Sequence, residues 1–143
     1  MAVIGRLSRV TLLIAAELRI TFAAHGLDPA SFDVLATLRR SPSPHRLTPS
    51  ELMRSSMVTS GAITQRLDRL EERGLVARTP SDSDGRGVHV LLTDEGRALI
   101  DQALPDHVDT EARLLAALTP AQRDVIAHLL RNLLQALGDT ADF

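Results

Sequence analysis

Cysteine and lysine are both absent from this 143-residue chain. Without cysteine there is no disulfide, no thiol redox sensing and no thiolate-bound zinc. Without lysine there is no Schiff-base chemistry, no P-loop and no kinase lysine. All 16 basic residues are Arg, so every cationic side-chain contact is a planar guanidinium fork. Tryptophan is missing too, and no G-x-S-x-G elbow occurs. No nucleophile–base or metal constellation stands at a recognisable spacing, so the chain reads as a non-enzyme with no cofactor. No uncharged run reaches about 18 apolar residues, the length needed to span a membrane. The opening MAVIGRLSRVTLLIAAELR is interrupted by Glu17 and Arg19 and lacks a clean small-residue cleavage site. It reads as a helix of the mature protein rather than a signal peptide, which makes a cytoplasmic location the expectation.

What is present suits one domain, or one protomer of an oligomer, with a real core: 44% of residues are apolar. The net charge of −2 is unevenly spread. Residues 1–89 carry 12 Arg against 9 acids, and residues 90–143 carry 4 Arg against 9 acids. The basic half is therefore the one to meet a polyanion, although ordinary surface scatter accounts for so small an excess equally well. No internal repeat or low-complexity tract appears.

Apolar residues recur at helical spacing over 3–24 (Ile4, Leu7, Val10, Ile14 and Leu18, with Leu13, Ile20 and Phe22 on a second stripe). A helix apolar on two sides needs more than one partner surface. Gly26 is its stop. Asp28-Pro29 opens a second helix with Phe32, Leu35 and Leu38 inward. SPSPHR at 41–46 is a loop. Thr48-Pro49-Ser50-Glu51 is a capping box for a short helix, and Ser55–Val58 is a turn. Thr59 or Ser60 caps the next helix, which buries Ile63, Leu67 and Leu70 and stops at Gly74. Residues 75–78 and 88–92 make a hairpin around PSDSDGRG. Thr93, with Asp94 and Glu95, caps a long helix that Pro105 should kink or restart. Thr119-Pro120-Ala121-Gln122 is a second capping box, and the helix after it is leucine-rich as far as Gly138. The predicted fold is mostly α with a small β-hairpin wing, a winged helix-turn-helix.

The second helix of a helix-turn-helix presents its first turns to base edges in the major groove of DNA. Ser60, Thr64 and Gln65 are hydrogen-bonding groups of suitable reach, Gln matches adenine bidentately, and Arg66 matches guanine. Arg69 lies on the same face for phosphate or base contact. Arg86 between two glycines suits a narrow minor groove, and Asp84 can hold it in position. The alternative for Asp84 and Arg86 is an exposed turn pair of little worth.

These motifs resemble the MarR family of winged helix-turn-helix regulators. The wing reads D-x-R-x-x-x-V-x-L-T at Asp84, Arg86, Val90, Leu92 and Thr93, and LTPSEL, SGAITQRLDRLEERGLVAR and TDEGRAL follow the family order. The resemblance covers roughly residues 26–137. It implies a homodimer joined through its terminal helices, binding double-stranded DNA at an inverted-repeat operator, and repression relieved by a small ligand. On this reading 1–27 and 105–143 are dimerisation helices and 28–104 the DNA-binding lobe with the start of the linking helix. A narrower resemblance, to urate-responsive members, rests on Asp33, Arg66, Arg78 and LPDHV near Pro105. It implies a small aromatic or anionic effector held by Asp33, Arg66 and Arg78. The Trp of that branch has no counterpart here, and structural ion pairing is the other reading of these three residues. His107 and Glu111, at i, i+4, read either as two ligands of a metal or as a solvated helix face. A winged-helix assembly module without a DNA target is the competing function.

Overall fold

In the computed structural model, residues 1–55, 60–80 and 87–139 are described, with backbone alone at 60 and 61. In chain order they form α1 (Ala2–Ala23), α2 (Pro29–Arg40), β1 (Arg46–Leu47), α3 (Pro49–Ser55), α4 (Ser60–Glu72), β2 (Val76–Pro80), β3 (Val88–Leu92), α5 (Asp94–Leu114) and α6 (Pro120–Ala136). None of these helices is long and apolar enough to cross a membrane.

Local chemistry fixes most boundaries. Gly26 and Gly74 take φ of +65° and +70°, the left-handed backbone that ends α1 and the C-terminal turn of α4. Asp28 caps α2 by accepting from the Ser31 amide at 2.8 Å. Thr119 and Gln122 form the reciprocal capping box of α6. The core joins Leu35 and Leu38 of α2, Leu52 of α3, Leu67 and Leu70 of α4, Val90 of β3 and Ile100 of α5. Phe22 and Phe32 stack at 4.2 Å, and the His107 ring lies 4.7 Å from Phe32.

Two features depart from the sequence reading. The sheet has three antiparallel strands in the order β1-β3-β2, not a lone hairpin. Arg46 and Leu47, read as loop and helix approach, pair with Leu91 and Val90. A two-residue strand has no periodicity to detect; it forms because β3 offers a free edge. Nor does Pro105 restart the helix: α5 runs through it to Leu114. Packing on both sides overrides the missing amide. Ile100 and Ala103 are buried before the proline and Thr110 after it, and the Thr110 hydroxyl meets that of Thr21 on α1 at 2.8 Å.

The ends of the chain carry the uncovered apolar surface. No residue of α6 is buried, and Val125, Leu129 and Leu133 are exposed. On α1 only Phe22 is buried, while Ile4, Leu13 and Ile20 are about two-thirds exposed.

α5 begins against the backbone of the turn after α4. The Thr93 hydroxyl accepts from the Gly96 amide at 3.0 Å and donates to the Gly74 carbonyl at 2.6 Å, while the Thr93 amide donates to the Leu75 carbonyl at 3.2 Å. A Cβ on Gly96 would lie 1.9 Å from the Leu75 carbonyl oxygen, so backbone would have to move. Gly96→Ala is expected to lower stability by about 1–3 kcal/mol, read as a lower urea midpoint at unchanged slope.

Candidate nucleic-acid interface

α3 is built to be a fixed platform. The Thr48 amide and hydroxyl donate to Glu51 Oε2 at 2.7 and 2.9 Å, and the Glu51 amide donates back to the Thr48 hydroxyl at 3.2 Å. These bonds, the backbone one foremost, lower the Glu51 pKa, with Arg54 and His89 adding to the effect. At the other end, Arg40 from α2 donates to the Ser55 carbonyl at 2.7 Å and satisfies a free helix terminus. Nothing in the sequence singled out Arg40, because its partner lies 15 residues away in another helix.

α4 follows. Ile63, Leu67 and Leu70 are buried and hold its inner face against the core. Thr64, Gln65 and Arg69 are exposed. Seven-residue spacing places Arg66 and Arg73 on one flank. Arg66 Nη1 donates to Asp28 Oδ2 at 2.5 Å and to the Ser31 hydroxyl at 3.3 Å, and its side chain is only 18% exposed. Arg73 donates to the Gly26 carbonyl at 3.0 Å. On the opposite flank, Arg78 of β2 pairs with Asp68 and reaches Glu71 at 3.1 Å. Asp68, and then Glu71, raise the pKa of that guanidinium, which stays charged throughout.

The residues singled out in the sequence are thus distributed as follows. Thr64, Gln65 and Arg69 share an accessible surface. Ser60 opens α4, with its side chain outside the described set; Asp84 and Arg86 lie outside the described residues altogether. Arg66 is turned into an ion pair with Asp28 instead of standing free on the outer face. Arg66 and Arg78 are committed to different carboxylates on opposite flanks of α4, and Asp33 is half-buried on α2. His107 Nε2 lies 3.2 Å from Glu111, but no three metal-ligating groups converge among the described residues. Asp28 was legible as a helix cap; its second partner, 38 residues away, was not.

The profile of the MarR family matches residues 25–87, from the end of α1 into the wing. The HTH-type transcriptional regulator PecS of Dickeya dadantii (strain 3937) is 41% identical over 130 residues, covering 91% of this chain and 78% of that protein. Sco3205, a MarR family transcriptional regulator from Streptomyces coelicolor solved in complex with DNA, superposes with a TM-score of 0.88 at 28% identity, over 95% of this chain and 89% of that one. Bordetella bronchiseptica BpsR, whose DNA binding is regulated by 6-hydroxynicotinic acid, superposes with a TM-score of 0.82 at 27% identity, over 93% and 98% of the two chains.

The capping carboxylate gives a pH test. Because the Glu51 pKa is lower folded than unfolded, its charge stabilises the protein above the unfolded value of about 4.3, and that contribution is lost as pH falls through the folded value. Glu51→Gln keeps an acceptor and removes the charge. The variant is expected to be about 0.3–1 kcal/mol less stable at pH 7, with the gap closing below about pH 4, followed by denaturant titration at several pH values.

Proposed function

The chain belongs to the MarR family of winged helix-turn-helix proteins and is a DNA-binding transcriptional regulator; on that premise we propose how it works. It is a cytoplasmic repressor that binds an inverted-repeat operator as a homodimer and leaves it when a small ligand binds. The observation that carries the reading is α4: its inner face is buried, both flanks are tied by guanidinium groups, and Thr64, Gln65 and Arg69 are left outward for base and phosphate contact. Ser60 at the start of α4 joins them. Arg86, oriented by Asp84, enters the minor groove from the wing.

Residues 28–104 serve as the DNA-binding lobe, and 1–27 with 105–143 as the dimerisation helices. The uncovered apolar residues of α1 and α6 support this division. An assembly module without a DNA target would place large apolar residues on α4, where, Ala62 apart, the exposed side chains among the described residues are polar or charged. The effector is a small aromatic or anionic compound at the junction of the two parts, with Asp33, Arg66 and Arg78 as its candidate anchors. An anionic effector must displace Asp28 from Arg66, or Asp68 and Glu71 from Arg78.

Two measurements test this. Sedimentation at micromolar concentration should give a dimer with no stable folded monomer, and operator half-sites should be centred about 10 bp apart. On operator DNA, Gln65→Ala is expected to cost about 1–3 kcal/mol and to relax preference at one base pair. Arg86→Ala should weaken binding to operator and random DNA alike and lower the salt slope by about one, with Asp84→Ala a milder copy. Unchanged binding by both Gln65→Ala and Arg86→Ala would overturn the assignment.

A further inference from the structure

Apolar packing alone does not fix how α4 is rolled about its own axis. Ile63, Leu67 and Leu70 make a non-directional contact, and side-chain tips on a helix stand about 5–6 Å from its axis. A roll of ~10° therefore moves a base-reading tip by about 1 Å, enough to spoil a bidentate match to a base edge. Directional bonds on the flanks are what oppose such a roll.

On the flank facing the α1–α2 elbow, those bonds converge on three residues of one short segment, Gly26, Asp28 and Ser31. Gly26 offers its carbonyl to Arg73. Asp28 divides its carboxylate: Oδ1 caps α2 through the Ser31 amide at 2.8 Å, and Oδ2 receives Arg66 at 2.5 Å. The Ser31 hydroxyl, 3.3 Å from Arg66, completes the seat. The elbow is itself tied to α5, since His25 Nε2 lies 2.7 Å from Asp106. One carboxylate thus joins the start of α2 to the middle of α4.

We propose that Asp28 and Arg66 are positioning residues for DNA reading: their ion pair sets the roll of α4, and Arg66 acts through Asp28 rather than on a base. The proposal rests on the DNA-binding reading above. Asp28 is half exposed, so the pair adds little to stability; its effect is on geometry. The sign of one substitution separates this from simple electrostatics. Removing a carboxylate makes the protein more attractive to phosphate, so a purely electrostatic role for Asp28 predicts tighter binding when it is neutralised. A positioning role predicts weaker binding.

The test uses Asp28→Asn, which keeps the capping oxygen and loses the charge, Arg66→Met, which keeps the stem, and the double variant. Affinities for operator and random-sequence DNA are measured by fluorescence anisotropy at two salt concentrations. Each single variant is expected to lose about tenfold on operator and little on random DNA, with an unchanged salt slope. The double variant should be no worse than either single one. Operator binding by Asp28→Asn at or above the parent's affinity overturns the proposal. So do additive losses, or an Arg66→Met variant that weakens operator and random DNA alike with the slope reduced by about one, which marks direct DNA contact. If Asp28→Asn does not fold, Asp28→Ser, a cap without charge, replaces it. Failure of the unmodified protein to prefer operator over random DNA would instead overturn the DNA-binding reading itself.

Discussion

Where Gly96 meets the Leu75 carbonyl, three parts of the molecule are brought to one point. The turn at Gly74 closes α4, Leu75 leads into β2, and Thr93 starts α5 directly after β3. The hydroxyl and amide of Thr93 bond to that turn from above, and the missing Cβ of Gly96 lets the backbones touch. The strand pair leaves and returns at this point, so β2 and β3 are joined here to both α4 and α5. α4, the sheet and α5 share this one backbone contact as their frame.

Around that frame, polar anchoring is done by arginine. Arg40 closes the end of α3, Arg66 and Arg73 hold one flank of α4, and Arg78 holds the other. The shortest contact of each is to a carboxylate or to a helix-terminal or turn carbonyl, groups that a planar donor fork satisfies well. The modest positive excess of the N-terminal half is therefore partly internal: several of its cations are neutralised by neighbours.

Sequence alone exposes what is local. Capping boxes at Thr48 and Thr119, the caps at Asp28 and Thr93, and the glycine stops at 26 and 74 are short-range chemistry, and each reads correctly from four or five residues. The apolar triplet Ile63, Leu67 and Leu70 gives the inner face of α4, and hence its outer face. What escapes is set by contacts distant along the chain. β1 is too short to carry a pattern. Pro105 signals a kink or a restart, and packing against α1 and α2 carries the helix through without a restart. Arg66 has the residue type and helix position of a base reader, and only folding reveals that Asp28 has claimed it. Arg40 carries no local signal.

α6 follows a capping box of good local design, yet it buries none of its side chains against its own chain. Most helical stability in a protein comes from packing an amphipathic face, so the order of these 17 residues depends on whatever covers their leucines. If that cover is another copy, mass action enters the folded state itself. Molecules at a concentration below the dimer's dissociation constant would then be the least ordered at this end and the easiest to degrade. The ordered population would then depend on concentration more steeply than in proportion, because two chains are needed to complete one fold.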